Sequence, residues 1–207
     1  MAEKKGRTVV ISGQPGAGNT TVAQLISKKL GIEYFSMGQL FKDIGRGTYK
    51  NKKYYPLFKE LCDKKGLVMP DMDSKNETHA AFDFWKTEVG KSKELHNVID
   101  ELQLKIAENG NVVMEGKLSI RMIKNADLKV WLKAPVEKRI DRACERDSLE
   151  LDETKDKMVE REGKERIEWK RIYGFDYFEQ EKEADLVIST DDLTPETIVE
   201  KILEKLS

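Results

Sequence analysis

The stretch GQPGAGNTT at residues 13–21 follows the apolar run Val9-Val10-Ile11 and opens a helical pattern. A glycine-rich turn between a strand and a helix is the arrangement that a phosphate-binding loop (P-loop) requires. The glycines let backbone N–H groups face inward, and the helix that starts near Thr20 adds the positive end of its dipole. The sequence therefore predicts a polyphosphate site, and the alternative is a glycine-rich turn that serves packing alone.

The loop departs from the P-loop pattern at one position, where Asn19 replaces the usual lysine before the hydroxyl residue. This change removes the cation that normally reaches the outer phosphates. The backbone amides and the helix dipole remain, and together they are sufficient to cradle a polyphosphate. The predicted phosphate-binding residues are Gly13, Gln14, Pro15, Gly16, Ala17, Gly18, Asn19, Thr20 and Thr21.

The chain has 207 residues, of which 39% are hydrophobic and 36% charged, with a formal net charge of −1. These values fit one folded α/β domain with solvated helices, and they give no overall attraction to nucleic acid. Two cysteines, Cys62 and Cys144, and two histidines, His79 and His96, lack metal-ligand spacing. Because residues 1–7 are charged and the first apolar run is short, we expect a cytoplasmic chain with neither signal peptide nor membrane span.

Short apolar runs alternate with helical patterns along the chain. Strands are predicted at 8–12, 33–35, 111–115, 127–133 and 185–190, and helices at 20–30, 37–45, 94–108, 135–146, 152–173 and 195–206. Such alternation implies right-handed crossovers and an α/β fold, with a five-stranded parallel sheet covered by helices on both faces. Ligands bind beyond the carboxyl ends of such strands, where the loop at Gly13 points.

Residues 48–93 break this rhythm, because they are polar, lack a clear strand and carry several aromatic side chains. A structureless loop of that length would be unusual, so we predict a helical insertion whose aromatic residues form a small core of their own. Stacking of some of them on a base is the alternative. These aromatic residues are Tyr49, Tyr54, Tyr55, Phe82, Phe84 and Trp85.

Glu115 closes the apolar run at residues 112–114 and is followed by Gly116 and Lys117. This order would place a carboxylate near the phosphate loop and a cation beside it. Mg²⁺ keeps several waters and takes few protein oxygens, so we expect the Thr20 hydroxyl to bind the ion and Glu115 to hold its water shell. An ordinary acid at a strand end is the alternative for Glu115.

Three arginines, Arg139, Arg142 and Arg146, recur at three- and four-residue spacing and therefore share one helix face, and Arg161 follows after an acidic connection. Arginines that converge on phosphates stabilise the charge that develops in phosphoryl transfer. The four are therefore candidate catalytic residues. The alternative is a solvated, salt-bridged face, because acidic residues are interleaved with them: Glu137, Asp141 and Glu145.

Five motifs together resemble those of the archaeal-type cytidylate kinases, and they cover most of the chain outside residues 48–93. They are GQPGAGNTT at 13–21, SMGQLFK at 36–42, NVVMEGKL at 111–118, ADLKVWLKAPVEKRIDRACERD at 126–147 and REGKERIEWKRIYGFD at 161–176. The resemblance implies a three-layer P-loop kinase fold in one domain, residues 1–207, with a helical acceptor-side insertion at about 48–93 and a short lid at about 146–161.

The resemblance also implies the activity, which is ATP-dependent transfer of the γ-phosphoryl group to CMP or dCMP. By the same resemblance, residues 13–21 hold ATP and the arginines belong to the lid. The acceptor-binding residues that it implies are Ser36, Lys42, Gly116 and Lys117. We expect the partners to be small nucleotides, without nucleic acid or membrane, and the enzyme to be a monomer.

This chain departs from the family pattern at several positions. The family usually has Arg where Lys42 and Lys117 stand here, and lysine keeps the charge but loses the bidentate fork. The family pattern also has an arginine at the position of Glu168, so the charge there is reversed. At the position of Asn19, by contrast, family members themselves often lack lysine, so the lack of lysine there is not a departure from the family. Three interpretations therefore stay open: a cytidylate kinase, a P-loop kinase for another small acceptor, and a nucleotide-binding protein without catalysis.

Overall fold

The computed structural model describes residues 6–75, 79–147 and 151–207, without the side chains of residues 146, 147, 151–157 and 161. Its five strands form one parallel sheet in the order β2-β3-β1-β4-β5. They are β1 (Thr8–Gly13), β2 (Glu33–Ser36), β3 (Val112–Glu115), β4 (Leu128–Lys133) and β5 (Leu186–Ser189). The predicted five-stranded parallel sheet is confirmed.

Helices connect the strands and cover both faces of the sheet. They are α1 (Asn19–Leu30), α2 (Met37–Gly45), α3 (Tyr55–Lys65), α4 (Ala80–Lys86), α5 (Glu88–Lys91), α6 (Lys93–Asn109), α7 (Ser119–Met122), α8 (Val136–Asp147), α9 (Leu151–Tyr173) and α10 (Pro195–Leu206). Short 3₁₀ turns lie at Thr48–Asn51 and Tyr177–Glu183. None of the described helices is both long and apolar enough to span a membrane.

The central strand β1 is buried on both faces, as its continuous apolar sequence predicts for a parallel sheet. Val9 and Ile11 pack in one cluster with side chains of α1 and α10. Val10 points to the opposite face, where its cluster includes Leu40 of α2 and Leu102 of α6. These two clusters make three layers, with the carboxyl end of β1 at the centre of one edge.

The segment between α2 and α6 is helical, as predicted, but its aromatic residues do not form a separate core. Tyr49, Phe58 and Phe84 belong to the same buried cluster as side chains of β1 and β3. Helix α4 can lie directly against α2 because Gly45 has no side chain; a Cβ there would stand 2.0 Å from the carbonyl oxygen of Ala80. Close backbone packing thus merges the segment with the main core.

Candidate active site

The glycine-rich loop after β1 is fixed to the ends of the two strands beyond it. The N–H of Gln14 donates to the Leu132 carbonyl at 2.9 Å, and its side-chain oxygen accepts from the N–H of Ala134 at 3.0 Å. The Thr190 hydroxyl donates to the Ala17 carbonyl at 3.1 Å. These bonds hold the loop at the carboxyl edge of the sheet.

The backbone of the loop takes the left-handed conformation at two of its glycines. The φ angle is 81° at Gly16 and 94° at Gly18, where other residues are strained. Gly18 also precedes the first turn of α1, which contains no acidic side chain and receives no side-chain cap from the described residues. The positive end of this 12-residue helix is therefore directed at the loop, as an anion site requires.

Asn19 turns back into the loop instead of reaching outward. Its side-chain NH₂ donates to the Gln14 carbonyl at 3.1 Å, while its buried Oδ1 has no hydrogen-bond partner among the described residues. A Cβ on Gly13 would stand 2.5 Å from that oxygen, so the amide occupies the space behind the loop. The residue stabilises the loop conformation but contributes no cation to it.

Glu115, at the end of β3, is held by two hydroxyl groups from β2. Tyr34 donates to its Oε2 at 3.2 Å, and the Ser36 hydroxyl donates to the same oxygen. Ser36 also caps α2, because its Oγ accepts from the N–H of Gln39 at 3.2 Å. Burial is the main cause that raises the pKa of Tyr34, and the negative charge of Glu115 is the second. The hydroxyl therefore stays protonated and remains a donor.

The sequence pattern did not identify Tyr34. The signal was in the register of the sheet, which pairs Tyr34 with Val113 and Ser36 with Glu115. Side chains two residues apart on a strand share one face of the sheet. Which residues of the next strand they meet is known only once the strand pairing is known.

A cavity of about 210 Å³ lies between the start of α1, the start of α2 and the end of β3. Its walls bring together four predicted site residues: Thr20, Ser36, Lys42 and Glu115. Gln24, Tyr34, Gly38 and Gln39 complete the lining. Among the residues that the structure describes, no acidic group forms an ion pair with Lys42, so the cavity combines hydroxyl and carboxylate oxygens with a cation available to a ligand.

Behind this cavity lies Asp43, a carboxylate that is only 3% exposed and that sequence reasoning missed. It accepts from the amide of Gln39 at 3.0 Å and from the Tyr54 hydroxyl at 3.2 Å, and it pairs with Lys52 at 3.2 Å. A carboxylate can only accept, so the bonded atom of Gln39 is its NH₂ group. The carbonyl oxygen of Gln39 is therefore the atom left for a ligand.

The turn after Glu115 lies against both β1 and the start of α2. The Ser12 hydroxyl donates to the Gly116 carbonyl at 2.5 Å, and a Cβ on Gly116 would stand 2.7 Å from Cγ of Met37. Lys117, which the family resemblance assigns to the acceptor, is not among the residues that line the cavity. It forms an ion pair with Glu165 of α9.

The two predicted catalytic arginines whose side chains are described do not converge on an open phosphate site. Arg139 is 4% exposed and donates to the carbonyls of Pro15 at 3.0 Å and Ala134 at 3.2 Å, and it pairs with Glu162 at 2.5 Å. One of these partners, Pro15, belongs to the loop itself, so Arg139 braces the loop backbone in this structure.

Arg142 follows the same pattern on the neighbouring part of α8. It donates to the hydroxyl of Thr190 at 2.9 Å and to the Thr190 carbonyl at 2.5 Å. Both arginines therefore share a helix face, as predicted, but that face is directed to the loop backbone and the end of β5. The side chains of Arg146 and Arg161 lie outside the described residues.

The fold is that of a P-loop kinase. Its parallel sheet has this strand order, a glycine-rich loop follows the central strand, and a carboxylate ends the neighbouring strand. A solved shikimate kinase from Bacteroides thetaiotaomicron has the same fold. It superposes with a TM-score of 0.52 at 16% identity, over 97% of this chain and 98% of that one.

The chain belongs to the cytidylate kinase-like family, whose family profile matches residues 8–192. The cytidylate kinase of Methanocaldococcus jannaschii is 32% identical over 88% of this chain and 87% of its own length. That of Archaeoglobus fulgidus is 31% identical over 95% of this chain and 92% of its own. The family resemblance read from the five motifs is confirmed.

Proposed function

We propose that the protein transfers the γ-phosphoryl group of ATP to CMP or dCMP, which yields ADP and the cytidine diphosphate. The observation that supports this proposal is that the phosphate loop and the acceptor cavity share a residue, Thr20. Thr20 lies in the first turn of the helix that follows the glycine-rich loop and also lines the cavity that contains Lys42. A donor on the loop and an acceptor in the cavity would therefore face each other, as direct transfer requires.

In this proposal residues 13–21 hold the ATP phosphates through backbone N–H groups and the dipole of α1. The oxygens near the loop fit Mg²⁺, which prefers hydroxyl, carboxylate and water ligands. Thr20 would bind the ion and Glu115 would hold its water, with the carboxylate oriented by Tyr34 and Ser36. When bound, Mg²⁺ supplies positive charge that offsets the charge developing on the phosphates.

On the acceptor side, Ser36 and Lys42 would contact the monophosphate, with Gly116 and Lys117 on the turn beside them. Lysine is a point charge rather than a fork, so we expect attraction with weak geometric selection. Arg139 and Arg142 would act as positioning residues, because their donors are bound to the loop and to Thr190. Arg146 and Arg161 remain the proposed cations of the lid.

Glu168 does not weaken this proposal, although the resemblance leads one to expect an arginine there. Its carboxylate pairs with Arg171 on the same helix, and the two side chains are 34% and 63% exposed. The cavity lining does not include it. The reversed charge is therefore partly exposed, paired with Arg171 and outside the cavity lining.

The form that we propose is a cytoplasmic monomer that acts on dissolved nucleotides.

The decisive experiment is a panel of nucleoside monophosphates with ATP and Mg²⁺, followed by the release of ADP. We expect CMP and dCMP to give kcat/KM values at least about tenfold above those of AMP, GMP and UMP, a difference of about 1.4 kcal/mol. Equal use of all five acceptors would show a kinase of another specificity. Absence of turnover with every acceptor, in a protein that binds ATP, would show a nucleotide-binding protein without catalysis.

A further inference from the structure

The side-chain amide of Gln39 has one bonded half and one free half. Its NH₂ group donates to Oδ1 of Asp43 at 3.0 Å, and none of the described residues donates to its carbonyl oxygen. Gln39 also lines the cavity that contains Lys42. An acceptor without a donor therefore belongs to the wall of the proposed site.

Gln103 of α6 forms the same kind of pair away from the cavity, with both halves of its amide bonded. Its NH₂ group donates to Asp100 at 3.0 Å, and its carbonyl oxygen accepts from the hydroxyl of Ser119 at 3.2 Å. A glutamine held by a carboxylate thus finds its second partner inside the protein where no ligand is needed. The comparison indicates that the second partner of Gln39 comes from a ligand.

Asp43 determines which half of the Gln39 amide is free. Its carboxylate is 3% exposed and is surrounded by further donors: Lys52 at 3.2 Å, Tyr54 at 3.2 Å and Thr48 at 3.4 Å. Burial raises the pKa of Tyr54, and Asp43 raises it further, so this hydroxyl stays protonated and donates. Because a carboxylate only accepts, rotation of the amide would set two acceptors against each other. Asp43 therefore holds the carbonyl oxygen of Gln39 away from itself.

The free oxygen of Gln39 restricts what can bind to it. A phosphate dianion only accepts hydrogen bonds, so it is repelled by this oxygen and attracted by the ammonium of Lys42. Gln39 requires a donor on the ligand instead. Two classes of donor can enter the cavity: the waters of a bound metal ion, and the amino and hydroxyl groups of a nucleoside.

The order of residues along the cavity wall favours the waters of a metal ion. The N–H of Gln39 donates to Oγ of Ser36 at 3.2 Å, and the hydroxyl of Ser36 donates to Glu115. Lys42 follows Gln39 by three residues and so lies on the same face of α2. Gln39 is therefore placed between Glu115, which the proposed function assigns to the water shell of Mg²⁺, and Lys42, which it assigns to the acceptor phosphate.

We propose that the carbonyl oxygen of Gln39 accepts a hydrogen bond from a water bound to Mg²⁺, and that Asp43 is the positioning residue that keeps this oxygen available. This inference rests on the proposed function, which assigns Thr20 and Glu115 to the ion and its waters. Mg²⁺ keeps several waters, and its charge makes them strong donors. Protein groups that bond to the outer side of a metal site orient what the ion holds.

An amide suits this place better than a carboxylate. A carboxylate at residue 39 would face the buried carboxylate of Asp43 and would add negative charge close to the acceptor phosphate. The amide accepts from a water without that charge. It therefore serves the ion and leaves the attraction between Lys42 and the phosphate undiminished.

Titration of the full chain with Mn²⁺ in the presence of saturating ADP tests the proposal without turnover. Mn²⁺ takes the same oxygen ligands as Mg²⁺, and its paramagnetic resonance signal reports the free ion. Replacement Gln39→Met keeps the length of the side chain and removes the acceptor, so the dissociation constant of Mn²⁺ should rise about fivefold. Replacement Gln103→Met is the matched control and should leave that constant unchanged. An unchanged constant for Gln39→Met, or an equal rise in both variants, would overturn the proposal.

Two replacements of Asp43 separate orientation from charge. Asp43→Asn keeps an oxygen that accepts from Gln39, and the hydroxyl of Tyr54 can accept from the new NH₂ group, so Mn²⁺ should bind with a nearly native constant. Asp43→Ala removes that acceptor and lets the amide rotate, so the constant should rise about two- to threefold. Equal losses in the two variants would mean that Asp43 acts through its charge, and no loss in Asp43→Ala would mean that it positions nothing; either result removes its proposed role.

Calorimetry with CMP in the absence of metal examines the other class of donor. Gln39→Met should leave this affinity unchanged, because the proposed partner of Gln39 is a water of the ion. About fivefold weaker binding of CMP, together with native binding of Mn²⁺, would assign Gln39 to the nucleoside and contradict the proposal.

The metal titration also separates this inference from the proposed function. Mn²⁺ and ADP report on Gln39 whether or not CMP is the acceptor. If the native protein shows no preference for CMP but Gln39→Met still weakens the binding of Mn²⁺, the inference stands and the acceptor assignment falls. If CMP is turned over and the binding of Mn²⁺ ignores Gln39→Met, the reverse holds.

Discussion

The hydroxyl of Tyr34 lies 3.2 Å from the carboxylate of Glu115, across two neighbouring strands whose ends form one wall of the cavity. This bond fixes one carboxylate oxygen toward β2 and leaves the other for a water or an ion. Tyr34 can therefore act on catalysis through the orientation of Glu115.

The first prediction concerns this contact. Replacement Tyr34→Phe removes a hydrogen bond and keeps the ring, so we expect the Mg²⁺ concentration at half-maximal activity to rise about fivefold, which corresponds to about 1 kcal/mol. Replacement Tyr55→Phe is the control, because Tyr55 packs against Tyr49 outside the cavity. The role assigned to Tyr34 is wrong if both variants keep the native Mg²⁺ dependence, or if direct titration with Mn²⁺ gives one affinity for all three proteins.

The second prediction concerns the loop. Gly18 has a φ of 94° with open space around it, so Gly18→Val strains the backbone rather than crowding protein neighbours. The strain is about 1–3 kcal/mol, and the branched side chain would also stand where phosphates approach, so ATP binding should be lost. Asn19→Ala removes one hydrogen bond and also an unpaired buried oxygen, so ATP affinity should fall only about two- to threefold.

Gly66 supplies the control for this experiment. Its φ is 65°, it also has open space around it, and it lies at the end of α3 away from the loop. Replacement Gly66→Val should reduce thermal stability to a similar extent but leave the calorimetric affinity for ATP at the native value. If Gly18→Val still bound ATP as well as Gly66→Val does, the loop would not be the phosphate cradle.

The third prediction concerns Arg139, which is buried and paired with Glu162. Arg139→Ala leaves the partly buried Glu162 without this partner and removes two hydrogen bonds to backbone carbonyls, so it should lower the free energy of unfolding by about 3 kcal/mol. The double replacement Arg139→Ala with Glu162→Ala should recover part of this loss. Urea unfolding of the two single variants and the double variant measures the coupling, and additive losses would show that the pair contributes nothing beyond its separate parts.

The fourth prediction concerns pH and two residues of α6. Burial lowers the pKa of His96 to about 4 and raises that of Asp100 to about 6. The unfolded chain binds more protons at His96 between pH 6.5 and 4, so this residue lowers stability as the pH falls. The folded chain binds more protons at Asp100 between about pH 6 and 4, so Asp100 raises stability over nearly the same window. The two effects oppose each other, and each is at most roughly 3 kcal/mol.

Replacement of either residue should therefore reveal the effect of the other on the pH dependence of stability. Relative to the native protein, Asp100→Asn should become progressively less stable from pH 6 to 4, whereas His96→Phe should become progressively more stable over that range. Thermal or urea unfolding at pH 4, 5, 6 and 7 measures both differences. Parallel pH profiles for all three proteins would show that neither residue titrates in this window.

Much of the fold could be predicted because its signals are local. The run at residues 8–12 is apolar throughout since β1 is buried on both faces, and the loop after it requires glycine at positions with positive φ. Glu115 could be placed for the same reason, because it closes an apolar run. These features depend on each residue and its near neighbours in sequence.

The partners of long charged side chains could not be predicted in this way. Lys117 pairs with Glu165 across 48 residues, and Arg139 reaches Pro15 across 124. A flexible cation takes whichever acceptor tertiary packing brings near, and neither composition nor spacing reports that choice. The same reason explains why Asp43, which is surrounded by donors from three segments, escaped notice.

The close contact between Gly45 and the carbonyl of Ala80 bears on how such a protein changes its substrate in evolution. An appended module can be exchanged whole, because its loss uncovers nothing essential. The segment between α2 and α6 has no such independence, since its aromatic side chains complete the core beneath the sheet. Descendants of this chain would therefore acquire new acceptors by point substitutions along α2, one side chain at a time, while the segment itself is inherited intact.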